Sequence, residues 1–411
     1  MIRSLDGWLA HAERVHLKEI ELGLGRVRSV AERLDLLPLP SRSVIVAGTN
    51  GKGTTVTTIE ALLRAHGLRT GASLSPHLSH FGERALIDGG LPDDAALCRA
   101  FEVVEAARGE VPLTYFEYAT LVALWTFREH AVDVSVLEVG LGGRLDAFNI
   151  VDADVAVITS IGLDHQAFLG DTLEAIGAEK AGVLRPGQRV VLGADMPDSV
   201  WRAVEDVGCV AAARDRDFRL DGDVLDTQAV PWPVPSGVRL SGALPSSNLA
   251  LGVVAASALV ADLQAGVCER VANGLSMPGR MERFEVAGRV LVLDVAHNPA
   301  GARFLDRVLS DRGLSPRVAI YGALTDKPAL EVQSTLSSRN MRWILVPTDG
   351  PRGQDAGALA ERLGGGEICA DFAGAFDAAC SATAPGDVIL AFGSFSVVEA
   401  AHRWMSSCVT G

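Results

Sequence analysis

The chain has 411 residues, more than one hydrophobic core comfortably organises, so two domains are expected. Hydrophobic residues make up 48% and charged residues 21%, an ordinary globular composition, and the longest uncharged apolar stretch, around 249–261, is too short to span a bilayer. A net charge of −14 argues against a nucleic-acid surface, and it means that local cations must hold any polyanionic ligand. Lys52, Arg84, Arg144, Lys180 and Arg280 are the cations to follow. The six cysteines lie far apart with no Cys-x-x-Cys pair, which fits a reducing cytoplasm better than disulfides or zinc.

In chain order, the N-terminus lacks the apolar core of a signal peptide and reads as an amphipathic helix. Arg42 to Thr49 is a β-branched run ending after glycine, and 54–66 has helical spacing, with Val56, Ile59, Leu62 and Leu63 on one face. Strands are expected at 133–139, 154–161 and 188–193, with helices at 117–130 and 172–184. This alternation predicts a mostly parallel sheet with helices on both faces. The region 214–247, with Asp-rich turns and Trp232 between prolines, reads as an irregular or antiparallel excursion, followed by a helix over about 248–265. Met277-Pro-Gly-Arg280 interrupts both helix and strand and divides the chain into 1–278 and 279–411. Strands near 289–295, 317–323, 342–347 and 387–393 then predict a smaller, Rossmann-like α/β domain.

Five motifs fall at the expected carboxyl ends of strands, where open α/β sheets bind ligands. Gly48-Thr49-Asn50-Gly51-Lys52-Gly53-Thr54-Thr55 is a phosphate-gripping loop between a strand and a helix, with two residues rather than four between its first Gly and Gly-Lys. Gly53 stands where the usual loop has its magnesium-binding hydroxyl, so that hydroxyl must come from elsewhere, for instance from Thr54 or from Ser75 in Ser75-Pro-His-Leu. Glu138 ends an apolar strand, where a carboxylate is costly unless paired or on a metal. His165 follows Leu163-Asp and reads as a metal ligand or as a core histidine. Lys180, in Glu179-Lys-Ala-Gly182, reads either as a solvated helix lysine or as an amine beside phosphate or metal. Gly140-Leu-Gly-Gly-Arg fails as a dinucleotide fingerprint, because its third glycine would fall on Leu145. In the second domain, Leu293-Asp-Val-Ala-His-Asn-Pro299 reads as a site cluster, whereas Gly393-Ser-Phe-Ser396 reads as a helix cap.

Together with Glu21-Leu-Gly-Leu-Gly-Arg-Val and Leu113-Thr-Tyr-Phe-Glu-Tyr, with Asp164-His-Gln-Ala-Phe-Leu-Gly, Pro278-Gly-Arg and Asp326-Lys-Pro, these motifs resemble the folylpolyglutamate synthase/dihydrofolate synthase family of the Mur ligase superfamily. The bacterial bifunctional members are the most similar. The resemblance implies an ADP-forming amide ligase that uses ATP and two Mg²⁺ ions to join L-glutamate to 7,8-dihydropteroate or reduced folates through an acyl phosphate, acting as a monomer. It implies that Gly48 to Thr55 cradle the phosphates, that Ser75, Glu138 and His165 ligate the metals, and that Lys180 carries an N6-carboxyl group. Asn248, Arg280 and Asp294 would contact the nucleotide. Glu21, Leu22 and Gly23, with Thr114, Tyr115, Phe116 and Glu117, and with Leu145, Asp146 and Ala147, would line the pteroate pocket. Glu21, Phe148 and Pro328 depart from the family's usual residues. The alternatives are a monofunctional synthase, a Mur-type ligase with another carboxylate acceptor, and an ATP-binding regulator without ligase activity.

Overall fold

A computed structural model describes residues 4–16, 21–350 and 352–409. The chain forms two compact units, Met1–Leu275 and Ser276–Gly411.

The first unit is built on a seven-stranded sheet. Its strands are β1 (Arg42–Ala47), β2 (Thr70–Ser73), β3 (Leu86–Ile87), β4 (Val134–Glu138), β5 (Val155–Ile158), β6 (Arg189–Leu192) and β7 (Val210–Ala213). They lie in the order β3-β2-β4-β1-β5-β6-β7, all parallel except the short edge strand β3. The chain leaves β1 on one side and returns on the other, so the order reverses at β1, where a ligand crevice is expected. Register places Val46 beside Glu138 and Ala47 beside Ile158, which brings the ends of β4, β1 and β5 together. Fully buried Ile45, Leu121, Phe127, Leu137 and Ile158 belong to the core under this sheet.

The N-terminal helix Leu5–Val15 is amphipathic as expected, burying Leu5, Trp8 and Ala12 at the spacing of one helix face. Trp8 stacks on Phe101 at 5.8 Å. The excursion after β7 is a three-stranded antiparallel sheet of β8 (Arg219–Asp221), β9 (Val224–Asp226) and β10 (Val238–Arg239). The buried Trp232 ties this excursion to the helix Ser246–Ser257, donating from its indole to the Val254 carbonyl at 3.2 Å. That helix stops eight residues before the expected end at 265, although Ala-rich sequence continues. Trp232 and the Ser257 hydroxyl take the Val254 carbonyl that the next helical amide would use, and the amides of Ala258 and Leu259 turn instead to Ala255 and Ala256. Arg189 and Arg42, the first residues of β6 and β1, take the carbonyls of Ala258 and Leu259 just beyond the helix.

The second unit holds β11 (Glu282–Val286), β12 (Arg289–Asp294), β13 (Pro316–Tyr321), β14 (Arg342–Leu345), β15 (Glu367–Ile368) and β16 (Val388–Phe392). Their order is β11-β12-β16-β13-β14-β15, with β11 antiparallel at one edge and the rest parallel. Leu305, Tyr321, Leu390 and Phe392 are buried in its core. Ser394 caps the last helix, accepting from Val397 N at 3.3 Å, as expected for that segment. No helix among the described residues is long and apolar enough to cross a membrane.

Candidate functional site

The loop after β1 is held by hydroxyls from the loop after β5. Thr159 donates to the Asn50 carbonyl at 2.7 Å, and Ser160 Oγ accepts from Asn50 N at 3.0 Å. Thr49 Oγ1 accepts from Gly162 N at 2.9 Å. Sequence reading missed Thr159 and Ser160; the available signal was two hydroxyl residues directly after an apolar strand. Gly51 then opens the helix Lys52–Ala65 at φ 86°, with no side chain capping its amides. A Cβ there would lie 2.5 Å from the Asn248 carboxamide, so the structure places Asn248 against the loop. A helix N-terminus whose amides no side chain caps is a ready anion site. Thr54 and Thr55, in the first turn, are buried, and the Thr55 hydroxyl has no partner among the described residues.

Two amines meet at this loop. Lys52 Nζ donates to the carbonyls of Gly48 and Thr49 at 3.1 and 3.3 Å, and Lys180 Nζ donates to Gly48 O at 3.0 Å. Lys180 is buried, which removes the solvated-lysine alternative. Burial first, and then the charge of Lys52, lower its pKa to about 7, while Asp164 and Asp146 oppose the shift. The backbone geometry explains its small neighbours. A Cβ on Gly143 would stand 2.7 Å from the Lys180 carbonyl, and Arg144 N donates to Glu179 O at 2.8 Å, so the two motifs pack main chain to main chain. Arg144 itself pairs with Glu179 at the surface.

Glu138, at the end of β4, is buried and accepts from Ser75 N at 2.9 Å. The Ser75–Pro76 peptide is cis. His165 sits at φ 52°, ahead of the short helix Gln166–Leu169, and its ring does not cap that helix. No cluster of three or more His, Cys, Asp or Glu residues fit for a metal occurs among the described residues. The expected set of Ser75, Glu138 and His165 contains only two residues of those types. A hydroxyl, one carboxylate and an imidazole beside phosphate oxygens suit a hard cation that takes few protein ligands.

The three expected pocket segments also converge. Arg26 donates to Glu21 at 2.9 Å and to Glu117 at 3.1 Å, tying 21–23 to the start of the helix Tyr115–Glu129. Thr114 and Glu117 form a capping box on that helix, so both have structural work beyond any contact with ligand. Phe116 meets Phe148 edge-on at 6.0 Å. Asp146 is buried and accepts from the amides of Gly140, Leu141 and Phe148. Burial raises its pKa to about 6 against those bonds.

In the second unit, Asp294 is buried and accepts from Met281 N and Ala296 N at 3.1 and 2.8 Å. Burial raises its pKa, and the charge of Arg280 opposes this. Arg280 lies over the Phe395 ring at 5.5 Å. Asn298 caps the helix Pro299–Asp311 through Gly301 N, so part of this cluster is scaffold.

Residues 46–210 match the Mur ligase middle domain and residues 279–395 the Mur ligase glutamate ligase domain. The dihydrofolate synthase/folylpolyglutamate synthase of Escherichia coli (strain K12) is 39% identical over 406 residues, covering 96% of this chain and 94% of the relative. This chain belongs to the dihydrofolate synthase/folylpolyglutamate synthase family. The Haemophilus influenzae member is 37% identical, with 96% of each chain covered. Among solved members of the family, E. coli FolC in complex with DHPP and ADP superimposes with a TM-score of 0.91 at 36% identity, over 99% of both chains. A bifunctional folylpolyglutamate synthase/dihydrofolate synthase with Mn, AMPPNP and L-glutamate bound gives 0.90 at 40% identity, over 98% of both.

Proposed function

We infer that this chain is an ATP-dependent, ADP-forming ligase that attaches L-glutamate to 7,8-dihydropteroate and to reduced folates. The observation that carries the reading is the meeting of Lys52 and Lys180 on the Gly48 carbonyl, beside an uncapped helix N-terminus. The acceptor carboxylate attacks the γ-phosphorus of ATP, ADP leaves, and the glutamate amine displaces phosphate from the resulting acyl phosphate to form the amide. An anion must therefore approach a polyanion. One unit-charge repulsion at 4 Å costs about 4 kcal/mol at an effective dielectric of 20, roughly a thousandfold in rate.

Gly48 to Thr55 hold the phosphates, Lys52 supplies positive charge, and Asn248 borders the same loop. Ser75, Glu138 and His165, with Thr54, would hold two Mg²⁺ ions, which when bound neutralise charge on the transferring phosphoryl group. Lys180, depressed to about 7, offers a neutral amine that can add CO₂ as an N6-carboxyl group and so present an anion toward the metals. Glu21 to Gly23, Thr114 to Glu117 and Leu145 to Ala147 form the acceptor pocket. We place the enzyme in the cytoplasm, where its six free thiols stay reduced, and take it to act as a monomer on small molecules.

Purified protein incubated with ATP, Mg²⁺, L-glutamate and either dihydropteroate or a reduced folate tests this by phosphate release and product mass. A glutamate-sized gain on both acceptors is expected. A gain on one alone names a single activity, and none on either overturns the acceptor assignment.

A further inference from the structure

Arg84 is a buried cation with no carboxylate in direct contact among the described residues. It lies in a short 3₁₀ turn, Phe81–Ala85, between β2 and β3, and is only 8% exposed. Its Nε donates to His77 Nδ1 at 2.8 Å, and its guanidinium lies 5.5 Å from the Tyr115 ring centroid. No carboxylate among the described residues comes within ion-pairing distance of it. The adjacent Glu83 is spent on the backbone amides of Leu78, Ser79 and His80. A guanidinium can only donate, so His77 Nδ1 must be the unprotonated ring nitrogen. The bond to His77 therefore orients Arg84 without neutralising it. Burying a charge this way is expensive unless an opposite charge arrives.

The neighbours indicate which charge arrives. One neighbour is Tyr115, in the segment assigned to the acceptor pocket. Another is Glu138, close enough for its charge to act on Arg84 and assigned to the metal. The one part of the acceptor that must lie between pocket wall and transferring phosphoryl group is its attacking carboxylate. We propose that Arg84 binds the acceptor's carboxylate and that His77 is the positioning residue that aims it. The proposal rests on the ligase reading above and assigns a residue to the nucleophile itself. Because the guanidinium offers five donors in a planar fork, it can hold one carboxylate oxygen while the other attacks.

The test compares binding of 7,8-dihydropteroate with that of its uncharged carboxamide, with Mg²⁺ and a non-hydrolysable ATP analogue present. The wild-type protein should bind the carboxylate roughly 10- to 100-fold more tightly than the amide, the range of a charge-assisted hydrogen bond. Arg84→Gln should bring the two affinities within about twofold, leave nucleotide affinity unchanged and leave the melting temperature no lower. Arg84→Lys, which keeps the charge but loses the bond to His77, should retain part of the preference and guards against misfolding of the glutamine variant. His77→Phe should weaken the carboxylate preference without touching affinity for the amide. If Arg84→Gln keeps the full preference, or loses nucleotide affinity instead, the assignment is wrong. If wild-type protein binds both forms equally, Arg84 is misassigned while the acceptor class stands. If it binds neither, the acceptor reading itself fails and takes this proposal with it.

Discussion

Lys52 and Lys180 donate to one backbone oxygen, the carbonyl of Gly48, from 3.1 and 3.0 Å. Two cations sharing one acceptor repel each other, and the more deeply enclosed of the two yields its proton more readily.

For Lys180 this fixes a pH dependence. Its pKa falls from the ordinary 10.5 to about 7, so it is largely ammonium at pH 6 and largely free amine at pH 8. Only the free amine adds CO₂. With ¹³C-bicarbonate, a carbamate resonance should grow from pH 6 to pH 8 and be absent from Lys180→Met. A pH-independent resonance, or one that survives the substitution, would remove Lys180 from this role.

Lys52→Ala and Glu138→Ala should each lower the ligation rate by about a thousandfold or more while leaving the fold intact, because each removes charge that the phosphoryl transfer needs. Turnover by product mass, alongside circular dichroism, decides the matter. Activity within tenfold of wild type in either variant would refute the role given to that residue.

Gly51→Ala places a methyl group 2.5 Å from Asn248 at φ 86°. The left-handed backbone alone costs about 1–2 kcal/mol, so ADP affinity should fall by roughly tenfold or more as the loop shifts. Calorimetric titration with ADP measures this directly.

Glu105 clasps three helices, accepting from Arg108, from Tyr118 at 2.7 Å and facing His11 at 3.1 Å. Although burial opposes it, the bonds from Arg108, Tyr118 and His11 lower its pKa from the ordinary 4.5 to about 2. A depressed carboxylate stabilises the fold above its ordinary value, and that contribution drains away as pH falls from about 4.5 through about 2. Glu105→Gln should be less stable at pH 7 by about 1–2 kcal/mol, and its stability should change less across that acid window. Urea titrations at pH 7, 4 and 2.5 would reveal a profile parallel to wild type if this account is wrong.

Much of this architecture was legible from the chain because its signals are local. The β-branched run before Gly48 and the apolar run ending in Glu138 each declare a strand and what stands at its end. Lys180 was not decidable in this way. Its small neighbours permit burial but do not require it; main chain from 143–144 packs on its backbone and its amine meets the Gly48 carbonyl, both distant in sequence. Thr159 and Ser160 escaped notice for a related reason: hydroxyl residues after a strand are common, and their value lies in meeting Asn50, more than a hundred positions away. At the end of the helix Ser246–Ser257, Trp232 from the preceding excursion takes the Val254 carbonyl, which helical periodicity cannot register. Arg84 was visible as a cation, but its burial without a direct carboxylate partner among the described residues exists only once the chain has folded.

Arg42 and Arg189, which hold the chain just past that helix, also mark a division of the sheet's labour. They enter at the amino-terminal ends of β1 and β6, and Asp154 and Asp133 fasten the same edge by accepting from Ser43 N and Arg69 N. The phosphate loop, Glu138 and the loop leading to His165 all issue from the opposite edge. One rim of the sheet is therefore a foundation and the other a workbench, so sequence drift that reinforces the first need not disturb turnover at the second.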